Sequence, residues 1–390
     1  MTKPTPDDPK ILIGASIPRS GHHFLADMVT SYFGKDIWYC EYYTFANCCR
    51  AVPCTRRGRY SFIYQKSHDR DFQLPATVAD ALYLIQYRHP VPEALSDREL
   101  DIKDSLGRPS LSFRKTRAGF TTWLAAKAIY YRKFHDKWMA KRIPNAIYLD
   151  YASLTADPHA MMRAIVRGAG AEVDEAHLDD IVERSGGSRA GTGKNAQSFK
   201  PRVASDSPFY DAELLGALED YVLKRCPAYE FPRELGGNYE TSALYAMLLL
   251  KDQKEPLPKG ETKRFQFAAR LAPDHPEIQR RLAQRLIRED KAVKGIEKLE
   301  ILIDRHPFFA PAYELLFDTC AEQSTAVPEA VLNGNALIAC SESAGLLLKL
   351  GQAFQDKGYT VNAVAAYALA STLEPANDEV RERLAASVKR

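Results

Sequence analysis

The sequence predicts an α/β domain, a parallel sheet flanked by helices, followed by an all-α helical repeat. Three observations carry this. Short apolar runs alternate with helically spaced stretches between residues 10 and 235. A polar, Pro/Gly-containing segment, KDQKEPLPKGET, spans residues 251–262. Beyond it, every apolar stretch has helical spacing and recurs at a fixed period. The expected division is residues 1–250, a linker at 251–262, and a helical array at 263–390.

In order, Ile11–Ala15 is a strand that ends in a turn signal, and Phe24, Leu25, Met28 and Val29 then fall at helical spacing. Phe62–Lys66, Ala81–Tyr87 and Ala146–Leu149 read as further buried strands, each followed by a loop and a helical stretch. In such sheets ligands bind beyond the carboxyl ends of the strands, so the loops after these runs are where chemistry is expected. In the second half, Leu271-Ala272-Pro273 recurs as Leu373-Glu374-Pro375, an offset of three 34-residue periods, and Leu282 maps to Leu316 and Leu350. A 34-residue helix-turn-helix period resembles a tetratricopeptide array, which implies docking of a protein partner or self-association through residues 263–390.

Charge and composition narrow the function classes. The net charge of +3 over 390 residues argues against a general nucleic-acid coat. Apolar runs such as Ala243–Leu250 are too short to span a bilayer. The opening MTKPTPDDPK has no apolar core of a secretory signal, and seven cysteines are an odd count, so reduced thiols and a cytoplasmic location are expected. Cys40, Cys48, Cys49 and Cys54 invite a zinc reading, but no Cys-x-x-Cys pair is present, and they are taken as buried or loop thiols with no metal expected.

Ile11–Leu25 is a strand, a Gly/Ser-containing turn and a helix start, a backbone arrangement that suits a phosphate, with Arg19 adding a fixed cation. It is not a Walker A loop, because no Gly-Lys-Ser/Thr closes it. Pro18-Arg19-Ser20-Gly21, two residues and the aromatic Phe24 resemble the 5'-phosphosulfate loop of the sulfotransferases that use 3'-phosphoadenosine 5'-phosphosulfate (PAPS). His22 and His23 stand where that family has two threonines, and Phe24 stands where it has a ring that stacks on adenine. A second block, Tyr87 to Ser96, is similar to the family's 3'-phosphate motif, an Arg and a Ser eight positions apart, here Arg88 and Ser96. Tyr148–Pro158 resembles a late strand and loop of bacterial members and is read as scaffold. Ser188–Lys194 is a looser match to a late phosphate-contacting loop.

The resemblance implies transfer of a sulfuryl group from PAPS to an acceptor hydroxyl, with adenosine 3',5'-bisphosphate (PAP) as product and no metal required. Two bases remain open. Lys66-Ser67-His68 is similar to the Lys-x-His of small-molecule sulfotransferases, and alternation along an extended segment puts Lys66 and His68 on one side. Glu41, after the first helix, is similarly placed to the glutamate of carbohydrate and tyrosyl-protein members. His68 is the preferred choice. Between Lys103 and Arg142 eleven basic residues face only Asp104 and Asp136, with Trp123, Tyr130, Tyr131 and Trp138 interleaved. That stretch reads either as a solvated helix face or as a cleft wall for an anionic donor and an anionic or sugar acceptor. Aromatic faces among donors suit sugar rings without identifying the acceptor, and a carbohydrate is the expected class. The competing reading is a nucleotide-binding adaptor with a degenerate sulfotransferase fold and a working repeat array.

Overall fold

The computed structural model describes residues 4–42, 48–56, 59–103, 115–187, 207–251 and 261–388. Ser188–Lys194, Arg108, Arg114 and most of the 251–262 segment lie outside them. The chain divides into two compact units, Met1–Asp104 with Lys127–Asn238, and Ser105–Ala126 with Tyr239–Arg390.

The first unit is built on five parallel strands, β1 Lys10–Ser16, β2 Ile37–Glu41, β3 Phe62–Ser67, β4 Leu82–Tyr87 and β5 Ala146–Asp150, in the order β2-β3-β1-β4-β5. The central strands are apolar on both faces, as a sheet covered on both sides requires. Leu12, Tyr64 and Leu84 pack with Leu25 and Val29 of α1 (His22–Phe33), Met162 and Ile165 of α5 (Pro158–Gly168), and Leu178 of α6 (Glu175–Gly187). Ile13, Ile63 and Ile85, the alternate residues, are equally buried. α2 (Pro90–Lys103) packs on α7 (Ala212–Arg225). α3 (Arg117–Phe134) contributes its residues from Lys127 onward to this unit, and the short α4 (Tyr151–Ala156) follows β5. β2 was not among the expected strands.

β1 reaches the middle of the sheet between β3 and β4, so the loops after all three strands open at one edge. Gly14 is required here, because a Cβ at this position would lie 2.9 Å from the Tyr64 ring on the neighbouring strand.

Everything described in the second half is helical: α8 Ala243–Lys251, α9 Glu261–Leu271, α10 Pro276–Arg288, α11 Ala292–Arg305, α12 Ala310–Glu322, α13 Gly334–Cys340, α14 Ala344–Asp356, α15 Thr360–Leu373 and α16 Asp378–Val388. α10, α12, α14 and α16 begin at 276, 310, 344 and 378, each 34 residues after the last. Their companions α11 and α15 start 68 residues apart, at 292 and 360. Between these two, where a companion would begin near 326, there is a 3-10 turn at Glu329–Val331 and the seven-residue α13. Pro328 opens that turn and the Asn333 side chain caps the helix that follows. Leu299, Leu316, Leu350 and Tyr367 share one apolar core. No helix among the described residues is long and apolar enough to cross a membrane.

Candidate active site

The loop after β1 turns within four residues. Ile17 N–H still donates to Gln86 O across the sheet at 3.0 Å. The Ser20 hydroxyl then ties back to Ile17 O at 2.6 Å. Arg19 (φ 60°) and Gly21 (φ 84°) both adopt left-handed conformations, a backbone geometry that forms anion-binding concavities at a helix start. Gly21 cannot carry a side chain, since a Cβ would sit 2.8 Å from the Tyr151 ring.

Arg19 reaches across to the second motif. Its Nε donates to Ser96 Oγ at 3.0 Å, from α2, 77 residues further along the chain. Arg88, at the end of β4, donates from Nη1 to Arg19 O at 3.0 Å, and its guanidinium lies 4.2 Å from the centre of the Tyr151 ring. The guanidinium that Ser96 meets is that of Arg19, while Arg88 and Ser96 are the two residues expected to converge on one phosphate. Arg88 Nε is buried with no hydrogen-bond partner, a donor to which an anionic oxygen would be complementary. Tyr131 holds the Arg88 carbonyl through its hydroxyl at 2.9 Å. Tyr151 comes from the Tyr148–Pro158 stretch, where Asp150 caps α4 through the N–H groups of Ala152 and Ser153. That stretch contributes a wall of the site as well as scaffold.

β3 brings the catalytic candidates to the same edge. Glu41 and Lys66 are register partners on β2 and β3. Lys66 Nζ lies 3.5 Å from Glu41 Oε1 and 3.0 Å from His68 Nε2. His68 Nδ1 is 3.0 Å from the Ser16 carbonyl, which can only accept, so Nδ1 carries the proton and Nε2 presents a lone pair to the Lys66 ammonium. The Tyr130 hydroxyl fixes the His68 backbone by donating to its carbonyl at 2.6 Å. Burial, followed by the Lys66 charge, pushes His68 down to about 3. Lys66 is itself pushed down to about 8 by burial, with Glu41 pulling the other way.

His22 and His23 stand side by side, ring centres 3.9 Å apart, and the His22 ring meets His68 edge-on at 4.5 Å. Burial and then the Lys66 charge lower both from the ordinary histidine value, His22 far below it, so that His22 remains neutral beside Lys66 and Arg19. Beside this group, Glu41, Tyr42, Lys66, Ser67, His68, Asp69, Arg70 and Asp71 line an open pocket of about 340 Å³.

Pro18, Arg19, Ser20, Gly21, His22, Lys66, His68, Arg88, Ser96 and Glu41 thus belong to the same edge of the sheet. Phe24 does not join them. It is 3% exposed and packed among the apolar residues of α1 and the sheet, so its ring offers no open face to an adenine. Ser16 and Tyr151 contact the site residues without having been singled out for it, and Tyr130, of the aromatics in the basic stretch, does reach the site.

Three residues of the basic stretch are spent on the fold. Lys127 is paired with Glu93 (2.8 Å) and Asp97 (2.5 Å), Arg132 with Asp136, and Lys137 with Asp69. Tyr131 and Trp138 are fully buried, the latter donating from Nε1 to Asp69, so neither can face a sugar. Alternating Lys/Arg and aromatic residues look alike in sequence whether they line a cleft or pack a helix against a sheet.

No family model matches the chain, and no curated protein matches it. Among solved structures, the crystal structure of mouse sulfotransferase SULT7A1 complexed with PAP is 15% identical, covers 55% of this chain and 84% of its own, and superposes with a TM-score of 0.44. A likeness at that score carries no argument about activity, which must rest on the site.

Proposed function

We propose that the chain is a sulfotransferase that moves a sulfuryl group from PAPS to an acceptor hydroxyl. The observation that carries this reading is the 3.0 Å hydrogen bond from Arg19 to Ser96. It joins two motifs, each resembling one phosphate-binding element of that family, at a single place, with the partnerless Arg88 Nε close by. The donor supplies an activated sulfuryl group carrying one negative charge, so fixed cations suffice to steady it. Arg19, Arg88 and the backbone around Ser20–His22 hold the two phosphate ends. Lys66 exchanges His68 for the departing phosphate, which leaves His68 Nε2 free to take the acceptor proton as the new O–S bond forms and the S–O bond to the phosphate breaks. Glu41 is the rival base, on the other side of the same lysine.

The acceptor enters the pocket lined by Glu41, Tyr42, Asp69 and Arg70. A carbohydrate is kept as the proposed acceptor class, with Glu41 and Arg70 at the pocket as its hydrogen-bonding partners, although Tyr131 and Trp138 do not serve it. Residues 263–390 act as a tetratricopeptide-like docking or self-association array. Phe308, Ile338 and Val361, all exposed, are apolar contacts such a surface would use.

A second reading, a nucleotide-binding adaptor, is favoured by the low basicity of His68 while Lys66 occupies its lone pair. Incubating the full chain with PAPS and a panel of hydroxyl acceptors separates the two. PAP release that depends on an acceptor supports the enzyme. Tight PAP binding with no acceptor-dependent release from PAPS supports the adaptor and sinks the enzyme.

A further inference from the structure

The connection from β2 to β3 folds three cysteines together. The sulfur atoms of Cys40, Cys49 and Cys54 all lie within 4.8 Å of one another. Thiolates on a tetrahedral zinc ion stand about 3.8 Å apart, given Zn–S bonds of about 2.3 Å, so small side-chain movements close the trio around one ion. Cys40 is the penultimate residue of β2 and Cys54 sits in the loop, both fully buried, while Cys49 is half-buried. Their spacing matches no familiar zinc pattern, which is why the sequence argued against a metal. The turn of the loop assembles what the spacing hides. Cys48, next to Cys49 in the chain, is not part of the trio, and its sulfur accepts the Arg50 N–H at 3.2 Å.

We infer that Cys40, Cys49 and Cys54 form a binding site for a thiolate-preferring divalent ion of the zinc class, with solvent in the fourth position. Three convergent sulfurs favour a metal over a disulfide, since a disulfide would employ two of them and strand the third in a buried site. Soft sulfur donors select zinc over magnesium or calcium. Each thiol that ligates releases its proton to solvent.

The position gives the ion a task. Cys40 is the register partner of Gln65, and the next rung of the ladder is Glu41 with Lys66. Gln65 Nε2 donates to Ala51 O at 2.7 Å, and the Cys49 thiol approaches the same carbonyl at 3.5 Å. An ion on the trio would staple the loop to the end of β2 and hold Glu41 at the mouth of the pocket. This is a positioning role, separate from the donor site.

The test is a cobalt titration of the reduced, chelator-treated full chain. Expected are the ultraviolet thiolate-to-cobalt charge-transfer band and the visible bands of tetrahedral cobalt, saturating at one equivalent and erased by zinc. Cys54→Ser and Cys40→Ser should each lose the tight site, while Cys226→Ser, at a buried cysteine outside the trio, should keep it. Should the serine variants fold poorly, proton release on adding zinc to the wild-type chain is an independent readout, expected at more than one proton per ion. Absence of thiolate bands in folded, reduced protein overturns the proposal. So do bands that survive in both serine variants, or a chain that takes up no metal but forms a Cys49–Cys54 disulfide.

Discussion

Lys66 Nζ stands between the two groups able to accept a proton, 3.0 Å from His68 Nε2 and 3.5 Å from the Glu41 carboxylate. One ammonium therefore restrains both candidate bases, and whichever acts must first be released from it. An incoming anion is the natural trigger, because it offers Lys66 a stronger partner than a neutral imidazole.

This arrangement makes a pH-dependent prediction with a definite sign. Burial lowers Lys66 from 10.5 to about 8, so in the free protein its charge is lost as pH rises through that value. The bisphosphate product should bind the protonated form better, so affinity should fall above about pH 8 and binding there should take up a proton. Lys66→Arg should remove the decline. By linkage, the unfolded chain holds this proton up to 10.5, so Lys66 alone makes stability rise with pH between about 8 and 10.5. Calorimetry in buffers of different ionisation enthalpy measures the uptake, and a pH-independent affinity up to pH 10 would refute the assignment.

His68→Ala should cut turnover by about 10² to 10⁴-fold with PAP affinity nearly intact, the usual contribution of a general base. His68→Gln should behave alike. Glu41→Gln in the same assay is the counter-test: if it abolishes turnover while His68→Ala barely matters, the carboxylate is the base.

Gly21→Ala should damage the donor loop specifically. The substituted residue would have to hold a φ of 84° and place its methyl 2.8 Å from the Tyr151 ring. A left-handed non-glycine residue costs about 1–2 kcal/mol. Weakened PAP binding is expected together with a melting temperature lowered by about 2–4 °C per kcal/mol, and unaltered binding would show that the loop does not hold the donor.

Lys127→Met should destabilise the first unit by about 3–5 kcal/mol, because it leaves the fully buried Glu93 without its cation. Adding Glu93→Leu should recover much of that loss. Chemical denaturation reads both, and a single variant as stable as the parent would mean that the pair contributes nothing.

How much of this was legible depends on the range of the interaction. β1 and β4 are apolar runs buried on both faces, and β3 and β5 open on the apolar runs Phe-Ile-Tyr and Ala-Ile-Tyr-Leu, which is what made them readable. β2, Ile-Trp-Tyr-Cys-Glu, is a five-residue edge strand only partly buried, and its mixed composition hid it. Helix α1 explains Phe24: the spacing that predicted the helix, Phe24 and Leu25 with Met28 and Val29, is also the spacing that turns this ring into the core. Motif resemblance located Arg19 and Ser96, but which arginine meets the serine depends on contacts 77 residues apart in sequence. The repeat period was readable from leucines and prolines, whereas the break at 329–340 arises from local capping by Asn333 after Pro328.

The most direct test of the donor site is calorimetry of the full chain with adenosine 3',5'-bisphosphate beside adenosine 5'-monophosphate, ATP, GTP and NAD, repeated with Arg88→Ala and Ser96→Ala. The bisphosphate is expected to bind best. Each variant is expected to lose about 1.5–3 kcal/mol for the bisphosphate, as for a charge-assisted contact, while the monophosphate changes far less. Equal weakening of both ligands, or a wild-type preference for ATP or GTP, would contradict the account.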